Sequence, residues 1–379
     1  MNRRKVTILQ HRLLHYRVGL LEKLHAACAQ AGIDLHLVYG EPSPSEALKR
    51  DTGRIAWAHE VKNRWVSVRG RDLLWQPLPR ELRDSALVIM MQENRILSNY
   101  PFLLARQFGR RTKIAYWGHG KNFQSDRPTG VREQWKAFWL NKVDWWFAYT
   151  GLTRAILTAG GFPAERITRL NNAIDNEQFI ADLERVDAAT LDRLATDLDL
   201  AAGAPLALYC GSLYPDKRLD LMADVAARIH LAIPDFRLVV IGDGPSRVDL
   251  EKLLAGHSWV RCVGVKRGAD KAAYFKLARV ILSPGAVGLH VLDAFCAGLP
   301  MITTKNARHG PEIEYLEHGR NGFILGDDPG SFAQAVIELL TDRQRHAIIA
   351  ASAKAASQRY TLENMTAHFV AGIEACLRS

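Results

Sequence analysis

The chain has 379 residues, is 48% hydrophobic and 24% charged, and carries a formal net charge of +10; this size excludes one small domain and favours two globular ones, each with its own core. Its five cysteines, Cys28, Cys210, Cys262, Cys296 and Cys376, are scattered and lack metal-type spacing, which argues against a disulfide framework or a zinc site and points to a reducing cytoplasm. No stretch approaches the about 18 uncharged apolar residues of a membrane span.

The charge is unevenly placed. Residues 1–180 hold 28 Lys and Arg against 16 Asp and Glu, together with eight of the nine tryptophans. A basic, Trp-rich half suits an anionic partner with an apolar border, so peripheral contact with an anionic membrane is expected there and nucleic acid is not.

The N-terminal run "RRKVTILQHR" is basic like a leader, but its apolar stretch is broken at once by Gln10, His11 and Arg12, so it reads as the first strand of a folded domain. Further strands are predicted at "IDLHLVYG", "ALVIMMQ", "KIAYWGH" and "WWFAYT", with amphipathic helices such as "RVGLLEKLHAACAQAG" between them. The mixed run "REQWKAFWLNKVDWWFAYT" sets Arg132, Lys136 and Lys142 among Trp135, Phe138, Trp139, Trp145 and Trp146; its helical part fits a membrane interface or a core-facing aromatic stripe. Residues 176–204, rich in Asp and Ala, read as a linker with one or two helices of its own.

Beyond it, strands are predicted at "APLALYCGSL", "FRLVVIGDG", "VRCVGVK", "RVILSPG" and "PMITTKN". Alternating strands and helices in both halves predict two doubly wound parallel sheets, whose ligands sit at the carboxyl ends of the strands. The boundaries are placed at 1–175 for the first domain and 205–355 for the second, with 356–379 as a final helix crossing back to the first.

Several loops can carry chemistry. In "YCGSLYPDKRLD", Gly211 permits a sharp exit from a strand, and Lys217 and Arg218 fall where the next helix starts, as a diphosphate requires. "VVIGDGPS" places Gly242 and Gly244 in a tight turn that lacks the third glycine of a dinucleotide fingerprint. "SPGAVGLHVLDAFCAGLP" presents small residues whose backbone amides, at a helix start, make an anion site without a side chain; Asp293, one turn on, is an acceptor for hydroxyls. "YWGHG" sets His119 between Gly118 and Gly120 at a strand end, exposed to a ligand site.

The order of "LYCGSLYPDKRLD", "LVVIGDGP", "RCVGV", "ILSPGAVGLHVLDAFCAGLPMIT" and "GPEIEYLEHGRNGFIL" over residues 206–326 resembles the GT-B fold glycosyltransferases of family 4, the retaining "group 1" transferases. The resemblance implies two Rossmann-like α/β domains facing across a cleft, a second domain that binds a nucleoside-diphosphate sugar, UDP- or GDP-linked, and a first domain that binds a glycan or lipid-linked acceptor, with no cofactor and no metal. On that resemblance Lys217 is the diphosphate lysine, helped by Gly211, Ser212 and Arg218. Gly242 and Gly244 join the donor site, as do Gly285, Ala286, Val287, Gly288, Leu289 and His290, whose loop meets the phosphates. Asp293 holds the ribose, Val263 and Val265 flank the base, and His119 lies near the donor sugar. Tyr16, Arg17, Gly118 and Gly120 fall on the acceptor side.

Three departures from the family pattern stand out. Gly285 replaces the first glutamate of the family's pair, leaving a gap beside the transferred sugar. Ser212 replaces a common arginine, and "QHRLLHYRVGLL" replaces a glycine-rich loop. The expected activity is retaining sugar transfer in cell-surface polysaccharide assembly, at the cytoplasmic membrane face. A sugar-nucleotide epimerase of the same fold is the alternative, and a nucleic-acid-binding protein ranks below it for want of a binding motif.

Overall fold

The computed structural model describes residues 3–47, 51–68, 71–109, 111–120 and 131–379. They form two compact units, one of residues 1–174 with the C-terminal segment Thr361–Ser379, the other Asp175–Tyr360.

The first unit is built on seven parallel strands: β1 (Arg4–Gln10), β2 (Ile33–Gly40), β3 (His59–Val61), β6 (Leu87–Met91), β7 (Lys113–Gly118), β8 (Trp145–Ala148) and β9 (Ile167–Arg169), while β4 (Arg64–Val68) and β5 (Arg71–Trp75) make a separate hairpin. Their order is β3-β2-β1-β6-β7-β8-β9. The chain reverses direction of build at β1, so the carboxyl ends of β1 and β6 flank the switch point where doubly wound sheets bind ligands. The strands are apolar on both faces because helices cover both; β8 is fully buried along "WWFA".

That burial corrects the picture of a tryptophan-rich surface. Trp117, Trp139, Trp145 and Trp146 are core residues, whereas Trp75 and Trp135 are about half exposed. The helix Val131–Leu140 presents Trp135 and Phe138 outward and buries Trp139 and Leu140; the side chains of Arg132 and Lys136 lie outside the described residues.

Helix Val18–Gln30 buries Leu20, Leu21, Leu24 and Cys28, spaced for one face, and packs on helix Leu362–Arg378. The latter starts at a Thr361 cap and closes the unit through Phe369, stacked on Phe147 at 4.6 Å and edge-on to Trp117 at 5.1 Å. Lys113 Nζ donates to the Cys376 carbonyl at 2.8 Å. Burying one phenylalanine in this way stabilises by about 1.5–3 kcal/mol.

The second unit repeats the plan with six parallel strands: β10 (Leu206–Cys210), β11 (Arg237–Ile241), β12 (Val260–Gly264), β13 (Val280–Leu282), β14 (Met301–Thr304) and β15 (Gly322–Leu325). The order is β12-β11-β10-β13-β14-β15, so the loops after β10 and β13 lie side by side at a second switch point. Helix Leu219–Ala232 buries Leu221, Met222, Val225, Ala226 and Ile229 against this sheet. Residues 176–204, expected as a linker, contain helices Glu177–Arg185 and Ala188–Asp197 within this unit.

Candidate active site

In the second unit the site grows from contact between two loops. After β10 the chain makes the tight turn Pro215–Lys217, places Arg218 in the left-handed region (φ 50°), and enters helix Leu219–Ala232. After β13, residues Ser283–His290 lead into helix Val291–Ala297, which a left-handed Gly298 ends. The Ala286 amide donates to the Asp216 carbonyl at 2.9 Å, and Lys217 Nζ donates to the Ala286 carbonyl at 2.5 Å. Thr303 and Thr304 hydroxyls hold the Gly285 and Pro284 carbonyls.

Gly285 does not leave the gap that the sequence suggested. A Cβ there would lie 2.2 Å from the Lys217 carbonyl carbon and 2.4 Å from the Asp216 oxygen, so the Lys217 backbone fills the space and no larger residue fits.

The loop amides are also less bare than expected. The Val287 amide donates to His309 Nδ1 at 3.1 Å, and the Gly288 amide points at His290 Nδ1 at 3.4 Å. Acceptance at Nδ1 puts each ring's proton on Nε2, which donates to the Thr304 carbonyl at 2.6 Å from His309 and to Ser283 Oγ at 3.2 Å from His290. Burial, reinforced by Lys217 and Lys271, pushes His290 down to about 3, and burial also lowers His309. Both rings are therefore neutral near pH 7 and shape the loop without adding charge. Among the described residues, the amides of Gly285, Leu289 and His290 donate to no protein acceptor; Gly285 is buried, so the partly exposed Leu289 and His290 are the ones left for a ligand.

Lys217 has no carboxylate within ion-pair distance among the described residues, and burial lowers its pKa. A partly buried cation held on the loop that carries these amides is suited chemically to an oxyanion. Arg218 turns instead to Asp327, 3.0 Å away at the end of β15. Asp293, expected as an open acceptor, is an ion-paired one: its Oδ2 accepts from Lys271 Nζ at 2.7 Å. Burial raises the Asp293 carboxyl and Lys271 opposes it; Lys271 in turn lies over the rings of Phe179 (4.6 Å) and Phe275 (5.4 Å).

The turn with Gly242 and Gly244 has a packing reason. Their φ values are 144° and 158°, and a Cβ would fall 1.9 Å from the Gly211 carbonyl oxygen and 2.4 Å from that of Leu213, so the glycines let the loops after β10 and β11 touch. Ser212 is exposed, Val263 is partly buried in β12 and Val265 is exposed just beyond it. The sequence reading missed His309 and Lys271. His309 immediately precedes the "GPEIEY" motif, which was its one available signal; Lys271, in helix Gly268–Leu277, had none.

In the first unit the predicted acceptor residues converge at the carboxyl ends of β1, β7 and β8. Arg17 donates to the Tyr149 hydroxyl at 2.5 Å and lies 4.3 Å over the Trp117 ring. Tyr16 is partly buried beside it, 5.5 Å from ring centre to guanidinium. His119 is exposed, its ring edge-on to Tyr149 at 4.2 Å. Gly118 and Gly120 are buried on either side, Gly118 against Gln92.

Residues 204–342 match the family model described as glycosyl transferases group 1. Among curated proteins, the chain is 27% identical over 211 residues to the sulfoquinovosyl transferase SQD2 of Arabidopsis thaliana, covering 54% of this chain and 39% of that protein. It is 31% identical over 153 residues to a GDP-mannose-dependent alpha-mannosyltransferase of Mycolicibacterium smegmatis, covering 39% and 38%. The alignments thus span well under two thirds of either relative. Among solved structures, Anabaena HepE in complex with UDP and glucose superposes with a TM-score of 0.67 at 16% identity, over 98% of this chain and 99% of the other. Sucrose-phosphate synthase from Thermosynechococcus elongatus gives 0.67 at 16% identity, over 97% of both.

Proposed function

We propose that this chain, whose residues 204–342 match the group 1 glycosyltransferases and whose fold is GT-B, moves a sugar from a nucleoside diphosphate to a glycan or lipid-linked acceptor, with retained anomeric configuration, in cell-surface polysaccharide assembly. The observation that carries this reading is Lys217, which has no carboxylate within ion-pair distance among the described residues and is fixed by the Ala286 carbonyl of the loop that carries the Leu289 and His290 amides.

In this reading the bond between the anomeric carbon and the phosphate oxygen breaks and its electron pair goes to the diphosphate. Lys217 and the two amides stabilise the charge that develops there; one such donor is worth about 3 kcal/mol of barrier. The acceptor hydroxyl attacks from the face the diphosphate leaves, and its proton passes to the departing phosphate oxygen. Oδ1 of Asp293, which Lys271 does not occupy, receives the ribose hydroxyls, and Val263 and Val265 flank the base. Lys217 and the amides supply the neutralisation, so the step needs no cofactor or metal. A UDP- or GDP-sugar donor is supported by the UDP of the Anabaena structure and the GDP-mannose dependence of the mycobacterial relative. Tyr16, Arg17, Gly118 and Gly120 receive the acceptor.

The first unit's exposed Phe108, Trp135 and Phe138 support a peripheral position on an anionic, cytoplasmic membrane face; no helix among the described residues is long and apolar enough to cross one. Co-sedimentation with anionic vesicles tests this, and binding unchanged by Trp135→Ser and Phe138→Ser together contradicts it.

The transfer itself is tested with a panel of UDP- and GDP-sugars and acceptor glycans or lipids, the product's anomeric proton being read by NMR. Retained configuration with release of the nucleoside diphosphate is the expected result. An inverted product contradicts retention, and epimerised nucleotide sugar formed without acceptor contradicts transfer.

A further inference from the structure

Arg17 ends the turn His15–Arg17 and caps helix Val18–Gln30, which has no acid in its first turn. The residue is only 5% exposed. Its guanidinium is caged by the rings of Trp117 at 4.3 Å and of Tyr16 and Tyr149 at 5.5 Å. One nitrogen is satisfied by the Tyr149 hydroxyl, but Nε and NH1 are buried without an acceptor. Among the described residues no carboxylate lies within ion-pair distance, and the groups that act on its charge are the two tyrosines.

This is unusual within the same loop. Arg12, almost as buried, is paired with Asp51 at 2.5 Å and with Glu46 at 3.6 Å. A guanidinium cannot shed its charge when buried, and aromatic faces offset only part of the lost hydration. Unpaired polar atoms also lie at the same end of the sheet: Trp117 Nε1 is a buried donor without an acceptor, and Gln92 Oε1, beside Gly118, is a buried acceptor without a donor. Such groups in a native structure call for an explanation. Here they sit at the carboxyl ends of β6 and β7, where doubly wound sheets take their ligands, with the exposed His119 next to them.

We propose that Arg17 is an oxyanion-binding residue of the first unit, and that the acceptor it receives carries a phosphate group. The anion completes the coordination of Nε and NH1, with the Trp117 indole N–H as a further donor. Access requires the partly buried Tyr16 side chain to rotate off the guanidinium. The second half of the proposal rests on the sugar-transfer reading; the binding of an oxyanion does not.

The experiment is calorimetric titration of the full chain with inorganic phosphate, glucose 6-phosphate, glucuronate and, separately, UDP and GDP. Phosphate and glucose 6-phosphate are expected to bind, and Arg17→Met to weaken both by about tenfold or more, the loss of a charged hydrogen bond. Arg17→Met is also expected to keep nucleotide binding within twofold and to melt no lower than the parent, since it removes an uncompensated charge. Phosphate binding that survives in Arg17→Met overturns the proposal. So does a preference for glucuronate, or a parent that ignores every oxyanion while binding nucleotide. Should the Met variant fail to fold, the indole resonance of Trp117, assigned with Trp117→Phe, decides: movement on phosphate titration supports the site and a fixed resonance refutes it. Failure of UDP and GDP alone to bind would count against the donor reading and leave the oxyanion result standing.

Discussion

Gly285 lies so close to Lys217 that a Cβ at position 285 would come within 2.3 Å of the Lys217 Cα. The lysine's position and the glycine's identity are therefore one structural fact: the backbone that delivers the amine occupies the room a side chain would need. Gly285→Ala must push the two loops apart. It is expected to lower stability by about 1–3 kcal/mol, the cost of overpacking, and to weaken nucleotide binding with it. Urea denaturation and a nucleotide titration of this variant check both; an unperturbed Ala variant would refute the contact.

The neutral His290 and His309 give the second unit an acid-sensitive loop. Each has a folded pKa below its unfolded value of about 6.5, His290 as low as about 3. The unfolded chain thus binds more protons in that interval, so their contribution is full above about pH 6.5 and falls as pH drops toward 3. The slope is at most about 1.4 kcal/mol per pH unit for each ring. Urea unfolding between pH 7 and 4 should show the decline, and His290→Asn should make it shallower. A stability independent of pH over that range would rule out the buried neutral rings.

Lys271, partly buried, and Asp293, buried, form an ion pair across 2.7 Å. Removing one partner strands the other, so Lys271→Met alone should cost about 3–5 kcal/mol, whereas Lys271→Met with Asp293→Leu should recover most of it. Denaturation of the two variants measures the coupling. Additive losses would mean that the two side chains do not act as a pair.

Gly372 lets the last helix seat on its unit. A methyl there would fall 2.4 Å from Thr168 Oγ1 and 2.7 Å from the Phe147 ring, so Gly372→Ala should destabilise by about 1–3 kcal/mol and loosen hydrogen-exchange protection of Leu362–Arg378. Protection equal to the parent's would contradict this seating.

Much of this architecture was legible in the sequence. Strands β1, β2, β6, β7, β8 and β10 to β14 lie in largely apolar runs ended by Gly, Pro or polar residues, and each was read correctly. Strands β3 ("HEV") and β9 ("ITR") are short and mix charged with apolar residues, so nothing local marks them, and β15 escaped as well, as did the β4–β5 hairpin. In the second unit, the positions of the loops after β10, β11 and β13 were legible because strand-to-turn chemistry is local. What was not legible is long-range. Gly285 looked like a missing side chain because nothing local says that Lys217, 68 positions earlier, fills its space. The loop amides looked bare because His309, 22 residues downstream, accepts from one of them. Asp293 looked open because Lys271 comes from another helix. The tryptophans were left between surface and core because composition does not distinguish a core strand such as "WWFA" from an interfacial helix.

The central claim is that Lys217 and the Gly285–His290 loop hold the diphosphate of a sugar donor. Calorimetric titration of UDP and of GDP into the parent chain and into Lys217→Ala tests it most directly. One of the two nucleotides should bind the parent, and the variant should bind it about tenfold more weakly or worse, as expected for a hydrogen bond to a charged group. Equal affinity of the variant and the parent, or no binding of either nucleotide to the parent, would contradict the assignment.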